Sequence, residues 1–169
     1  MLKAMEIIVN KVKGLMPQLA RIKGVWEGAY AYVDPNGKLL DQHQCKLIHI
    51  FPDDNPEEYH QINEYIWNDR KQERLEFVFK LQGNELSFTH PRAVGYVWEE
   101  KLRIGELATL RVSWLRSDHQ GYSPYDLPNC CVHELIQINS DATKRARVWQ
   151  WFQNEELVQR TVIEEVRVS

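Results

Sequence analysis

An arginine alternates with two tryptophans near the end of the chain, at Arg147, Trp149 and Trp151. In a β-strand these three side chains share one face, because successive side chains point to opposite sides of the strand. If that face is buried, the guanidinium needs a carboxylate or phosphate partner, since an unpaired charge is costly to bury. The partner could be Glu134, another acidic side chain or the acid group of a ligand. The same pattern also fits an exposed arginine stacked over surface indoles.

Three tyrosines, Tyr30, Tyr59 and Tyr65, lie in other segments of alternating character. Together with Trp149 and Trp151 they would give a protein interior an aromatic wall that carries hydroxyl and indole donors. Such a wall suits a flat or amphiphilic molecule with a few polar groups. The alternative is that these aromatic side chains fill the core or lie on the outer face.

A cysteine and a histidine lie two residues apart, at Cys131 and His133. On one strand face their Cα atoms would be about 7 Å apart, and a thiolate–imidazole pair could act as a nucleophile. Inert packing of a cysteine is the commoner situation, and His133 is also a candidate polar anchor for a ligand. The adjacent Cys130 points to the opposite face, so the sequence predicts no metal site here.

The composition is that of an ordinary globular protein, with 43% hydrophobic and 27% charged residues in a chain of 169. A formal net charge of -3 and scattered Lys and Arg give no basis for binding nucleic acid. The three cysteines make an odd count, which argues against a disulfide framework and favours a reducing compartment. No apolar segment approaches the roughly 20 residues of a membrane span, and residues 1–10 lack the features of a secretory signal. We therefore expect a cytoplasmic protein.

The pattern along the chain predicts one domain, 1–169, with a helical leader followed by strands. Residues 2–22 are predicted to be helical, with a break near residues 15–16 because Pro17 starts a second turn. Residues 24–168 alternate in polarity between short turns, and no helical segment separates them, so an antiparallel meander is favoured over parallel βαβ units. Closing the meander removes its exposed edges. The prediction is an all-β, up-and-down antiparallel barrel of about eight to ten strands, capped at one end by the N-terminal helix.

One irregular segment, residues 116–129, is longer than the other connections between strands. Longer loops are often lids, and Tyr122 and Tyr125 could cover the mouth of the barrel. The alternative is a packed surface loop stiffened by prolines.

Gly24 and Trp26 open the first predicted strand, and Arg167 ends the last one. This Gly-x-Trp motif with a C-terminal arginine resembles the lipocalin-like (calycin) barrels, with Arg160 as the alternative arginine. The resemblance implies a calycin-like barrel in which Trp26 packs at the closed end beneath Arg167, in a cation–π contact. The Tyr-Pro element of the haem-binding nitrobindin-like relatives is missing, so the resemblance implies no cofactor.

The leading functional expectation is non-catalytic binding of a small, partly apolar molecule, acidic or aromatic, in the barrel lumen. An isomerase or lyase acting in the same cavity is one alternative, by analogy with other barrels of this class. Another is an interaction module with a filled barrel that forms a homodimer through exposed aromatic side chains. The candidate ligand contacts are Tyr30, Tyr59, Tyr65, His133, Arg147, Trp149 and Trp151.

Overall fold

Strands joined by mostly short connections make up most of the computed structural model, which describes residues 9–101, 105 and 107–169. Two short helices precede the strands: α1, Lys11–Leu15, and α2, Pro17–Ala20. The strands are β1 (Gly24–Val33), β2 (Leu39–Ile50), β3 (Glu58–Ile66), β4 (Gln72–Gln82), β5 (Glu85–His90), β6 (Ala93–Glu99), β7 (Ala108–Arg116), β8 (Cys131–Ile138), β9 (Lys144–Gln153) and β10 (Glu156–Arg167).

The ten strands of the described residues form one closed antiparallel barrel, in which each strand pairs with its neighbours in sequence. The ring closes between β1 and β10, where Trp26 lies opposite Arg167 and Val33 lies opposite Arg160. The predicted all-β, antiparallel barrel is therefore confirmed. Closure is physically favourable because it pairs the backbone groups that an open sheet would leave at its edges. Among the described residues, no helix has the length and apolar character needed to cross a bilayer.

Side chains alternate between the lumen and the outer surface along each strand. On β9, for example, Arg145, Arg147 and Trp151 are buried, whereas Ala146 and Gln150 are exposed. Successive side chains of a strand point to opposite faces of the sheet. Once the sheet closes into a barrel, every second side chain of a strand therefore points into the lumen. The inward side chains form two apolar clusters, one that includes residues of α1 and α2 and one toward the opposite end of the barrel.

The helical segment is tied to the barrel by Asn10. The side-chain oxygen of Asn10 accepts a hydrogen bond from the backbone N–H of Lys13 and so caps α1. Its amide nitrogen donates to the carbonyl oxygens of Pro52 and Glu58, at 2.9 and 2.8 Å. One side chain thus both starts the helix and holds it against the end of the barrel.

The predicted break in the helical segment lies where expected. α1 ends at Leu15 and α2 begins at Pro17, whose ring is accommodated only in the first turn of a helix. The prediction of helix is wrong at residues 9 and 10, which precede α1, and at residues 21 and 22, which follow α2. The remainder of the predicted leader, residues 2–8, lies outside the described residues.

Trp26 is fully buried in the cluster that includes the two helices. Its indole N–H donates to the carbonyl oxygen of Ile22 at 2.8 Å. The guanidinium groups of Arg145 and Arg167 lie 4.6 and 5.0 Å from its ring centre, within the range of cation–π attraction. Arg167 also donates to three backbone carbonyls of the neighbouring turns, which fixes the chain between α2 and β1.

Candidate ligand-binding site

A cavity of about 120 Å³ lies in the lumen of the barrel. Its lining begins at Leu19 and Ile22 beside the helices and extends to Trp67 and Arg116 at the opposite end. An apolar cavity of about 150 Å³ holds a benzene molecule, whereas sites for drug-sized ligands measure about 300–1,000 Å³. The lumen is thus largely filled by side chains and has room for one compact molecule or a few waters.

One part of the cavity wall is apolar and aromatic. Phe79 of β4 and Phe88 of β5 have ring centres 4.9 Å apart, and Phe77 meets Phe88 edge to face at 6.0 Å. On the other side Trp114 of β7 meets Trp149 edge to face at 5.0 Å. Such packed rings offer a large apolar surface in a fixed position. This wall can accommodate the apolar body of a ligand.

The polar part of the wall follows the inner face of β3. Along it, the Tyr59 hydroxyl donates to Oε1 of Gln61 at 2.9 Å. The Gln61 amide donates to Oδ1 of Asn63 at 2.8 Å, and the Asn63 amide donates to the Tyr65 hydroxyl oxygen at 2.9 Å. Because these residues alternate with outward-facing ones, a single strand presents a continuous chain of hydrogen bonds to the cavity.

Arg145 determines which atoms donate and which accept at the start of this chain of hydrogen bonds. Its Nη1 donates to Nε2 of His49 at 3.0 Å, and a guanidinium can only donate, so Nε2 is the acceptor nitrogen. The proton of His49 is then on Nδ1, which donates to the hydroxyl oxygen of Tyr59. Burial, and after it the positive charges of Arg145, Arg147 and Arg167, lower the pKa of His49 well below its usual value. The imidazole is therefore neutral, as this arrangement requires.

Two arginines and two glutamates form a buried network on β8, β9 and β10. Nε of Arg147 donates to Glu134 at 2.6 Å, and its Nη1 donates to Glu165 at 3.0 Å and to the Tyr30 hydroxyl at 3.1 Å. Nε of Arg145 donates to the other oxygen of Glu165. Burial alone would raise the pKa of Glu165, but the charges of Arg147 and Arg145 lower it below its ordinary value. Glu165 is therefore charged, and it joins the two arginines.

Glycine at position 28 makes room for this network. Gly28 lies opposite Glu165 where β1 meets β10. A Cβ atom at Gly28 would come within 2.8 Å of Cγ of Glu165 and would collide with the backbone carbonyl oxygen of Glu164. Any larger residue there would displace the carboxylate that joins the two arginines.

Two buried donors on β9 have no hydrogen-bond partner among the described residues: Nη2 of Arg145 and Nε1 of Trp149. Both residues line the cavity. No buried side-chain acceptor in the same part of the chain is left without a partner. Leaving a buried donor unpaired costs about 1–3 kcal/mol, so a molecule that accepts from these two groups would be favoured in the cavity.

Residues 117–130 cover the end of the barrel opposite the helices. Nη2 of Arg116 pairs with Asp126 at 2.9 Å, and the Ser123 hydroxyl donates to Asp41 at 2.5 Å. Tyr125 packs against the apolar cluster at this end. Asp126 also lines the cavity, so the cavity extends to the inner side of this loop.

The sequence matches, over residues 16–169, the family described as "Domain of unknown function (DUF3598), N-terminal". The chain belongs to this family. No curated protein matches the sequence.

Two solved structures are similar to this DUF3598 barrel. Rv2717c from M. tuberculosis has a TM-score of 0.64 and 12% identity, over 92% of this chain and 98% of that one. A DUF3598 family protein of unknown function from Nostoc punctiforme PCC 73102 has a TM-score of 0.56 and 14% identity, over 89% of this chain. The match covers 48% of the Nostoc protein, so this chain spans about half of its length. At these identities the likeness concerns the fold alone.

In this DUF3598 barrel most of the predicted ligand contacts point into the lumen. Tyr30 is also buried, but it lies behind the cavity wall, where its hydroxyl oxygen accepts from Arg147. Arg147 has Glu134 as a partner, one of the alternatives left open by the sequence. The predicted contacts that line the cavity are Tyr59, Tyr65, Arg147, Trp149 and Trp151.

His133 is exposed on the outer face of the barrel, so the prediction that it anchors a ligand in the lumen is wrong. The reason is the register of β8, in which Val132 and Glu134 take the inward positions. On the outer face Nε2 of His133 lies 3.5 Å from Sγ of Cys131, and its Nδ1 lies 3.0 Å from the Ser113 hydroxyl. Within the described residues, no group of three or more His, Cys, Asp or Glu side chains is placed to hold a metal ion.

Three important lumen residues are missed by the sequence analysis: Arg145, His49 and Glu165. Arg145 shares the parity of Arg147, and Glu165 shares that of Arg167, so the alternation pattern contains a signal for both. The signal does not give the register between neighbouring strands, and the network depends on that register.

Proposed function

We propose that this barrel binds one compact, partly apolar molecule with a hydrogen-bond acceptor in its lumen, as lipocalin-like barrels do. The observation that carries the proposal is the cavity of about 120 Å³, which is lined by Trp149, whose buried indole N–H has no partner among the described residues. The aromatic wall favours an apolar ligand body, and the indole donor favours an acceptor on it.

The size of the cavity narrows the class of ligand. A molecule with one aromatic ring is close to the volume available, whereas a long fatty acid or a macrocycle would require many side chains to move. We therefore expect a ligand with few non-hydrogen atoms, such as a single ring with a small polar substituent. Its affinity is then limited, because even very efficient small ligands gain at most about 1.5 kcal/mol per such atom.

Binding is favoured over catalysis by the way the titratable groups of the lumen are engaged. Both ring nitrogens of His49 form hydrogen bonds within the protein. Glu134 and Glu165 are held in ion pairs with arginines. A general base must be free to accept a proton from a substrate, whereas both nitrogens of His49 are occupied and each glutamate is already paired with an arginine.

The test is calorimetric titration of the full chain with acetophenone and with ethylbenzene, which have similar shapes but differ in the carbonyl acceptor. We expect acetophenone to bind more tightly, by about threefold to tenfold, the usual scale for a neutral hydrogen bond. Trp149→Phe should remove that preference. Trp98→Phe, on the outward parity of β6, is the matched control and should leave it unchanged.

Absence of binding by both compounds would contradict the proposal. Concentration-dependent association of the protein without any ligand binding would instead favour the alternative of an interaction module that forms a homodimer. If the two compounds bind with equal affinity and compete with each other, the cavity remains the binding site, but the Trp149 donor has no role in binding.

We also propose that the protein works in a reducing compartment, with the cytoplasm as the expected location. The support is that Cys45, Cys130 and Cys131 are all free thiols. A reducing agent should then leave the melting temperature unchanged. A lower melting temperature under reduction would contradict the proposal.

A further inference from the structure

A buried polar group at the helix-covered end of the cavity points to the chemistry of the ligand. We propose that the lumen selects a compact monoanionic acid whose carboxylate accepts a hydrogen bond from Nη2 of Arg145. This inference rests on the proposed function, because it names the class of ligand for the same cavity.

Arg145 is a built donor site. Its side chain is 1% exposed, so the guanidinium is held almost completely out of water. Its Nε is fixed by Glu165 and its Nη1 by His49, which leaves Nη2 as the buried nitrogen without a partner in the described part of the chain. A planar guanidinium fixed at two of its three nitrogens presents the third in one direction, at little further cost in side-chain entropy.

The electrostatic surroundings at this end of the lumen favour an anion. The positive charges of Arg145, Arg147 and Arg167 all make a positive charge on the His49 imidazole less favourable. The buried carboxylates Glu134 and Glu165 are already engaged with the arginines. An entering carboxylate therefore meets the positive charges of these arginines and a donor that has no partner among the described residues.

The donor and the apolar wall together define an acid with a compact apolar body. Arg145, Arg147 and Trp149 follow one another on the inner face of β9, about 7 Å apart, starting from the helix-covered end. A carboxylate at Arg145 places the body of the ligand toward the aromatic wall in the middle of the lumen. With about 120 Å³ available, the body is close to a single ring.

The experiment compares benzoate with acetophenone, a neutral molecule of the same size, by calorimetric titration of the full chain at pH 7. We expect benzoate to bind at least about tenfold more tightly, because a hydrogen bond to a charged group is stronger than a neutral one. In the double variant Arg145→Met/Glu165→Gln both members of the buried pair are neutral, so no charge is left unpaired. We expect it to lose about 10- to 100-fold in benzoate affinity and to keep its acetophenone affinity within about threefold.

Two further variants test the proposal even if the double variant does not fold. Arg145→Lys keeps the charge but replaces the three guanidinium nitrogens by one ammonium nitrogen, and it should also weaken benzoate binding selectively. Arg111→Met removes an arginine that is 43% exposed and pairs with Glu100 away from the cavity; it should change neither affinity.

The outcomes separate the two proposals. If neither compound binds, the proposed function fails. If acetophenone binds as tightly as benzoate to the unaltered protein, the cavity binds ligands and the acid selectivity is wrong. Unchanged benzoate binding in both Arg145 variants, or an equal loss in Arg111→Met, overturns the assignment to Arg145.

Discussion

Replacing Glu165 by glutamine tests whether the lumen network is a buried ionic structure. The substitution keeps the size of the side chain and removes one negative charge. Arg147 retains Glu134 as a partner, but Arg145 loses the carboxylate with which it is paired. Because Glu165 is 3% exposed, solvent does not screen the pair, and breaking it should lower the free energy of unfolding by about 3–5 kcal/mol.

The assay is urea unfolding at pH 7 followed by tryptophan fluorescence, with unfolding free energies from linear extrapolation. Glu76→Gln, which breaks an ion pair at a side chain that is 61% exposed, is the control and should cost less than about 1 kcal/mol. The double variant Arg145→Met/Glu165→Gln should recover more than half of the loss, since it leaves no unpaired buried charge. A loss below about 1 kcal/mol for Glu165→Gln, or a double variant no more stable than the single one, would refute this account of the network.

The pH dependence of the same difference follows from the lowered pKa of Glu165 in the folded state. A carboxylate with a lowered folded-state pKa contributes its full stabilisation above its unfolded pKa, about 4.3, and loses it as the pH falls through the folded-state pKa. The stability difference between the unaltered protein and Glu165→Gln should be constant from about pH 8 to pH 5.5 and should shrink below about pH 4.5. A difference that grows on acidification would contradict the assigned charge state.

Three further predictions concern other parts of the barrel. Trp26→Ala should lower the free energy of unfolding by about 3–5 kcal/mol in urea, because Trp26 is fully buried at the helix-covered end; an unchanged midpoint would contradict this. Gly28→Ala should cost at least about 1–3 kcal/mol because a Cβ has no room there, whereas Gly14→Ala, with no atom near the new methyl group, should not destabilise; equal effects would contradict the close approach of β1 and β10. Thiol titration of the native protein should label one cysteine, and Cys131→Ser should abolish the labelling, since the other two cysteines are buried; labelling of two or three thiols without denaturant would show that the barrel opens.

Most of the barrel could be predicted from sequence because its determinants are local. Gly83 has a φ of 66° in the turn between β4 and β5, which is the conformation that glycine adopts at little cost. Asn154 and Glu155 take positive φ in the two-residue turn between β9 and β10. Turns of this kind and the alternation between them determine ten strands without any information from distant residues. The attachment of the helices to the barrel is different, because Asn10 donates to Pro52 and Glu58, which lie far away in sequence.

The lumen network could be predicted only in part, because it depends on the register between strands. Next to the turn at Asn154, Glu156 pairs with Gln153. If this register continued along the two strands, Arg145 would lie opposite Glu164. A register shift between Leu157 and Gln159 instead brings Glu165 opposite Arg145. A β-bulge of this kind moves every later side chain to the other face, and local alternation does not reveal where it occurs.

Arg145 links the stability of the barrel to the occupancy of its lumen. Through Glu165 it contacts β10, and through His49 it orders the polar wall of β3, while its third nitrogen has no partner among the described residues. Arg147, one step further along β9, has both Glu134 and Glu165 as partners and so has less to offer an incoming acid. An acceptor at Arg145 would therefore be held by a group that the fold has already immobilised. A ligand that binds only the folded protein adds about 2.7 kcal/mol of stability at 100 times its Kd, so occupancy of this one donor would be visible as a rise in melting temperature.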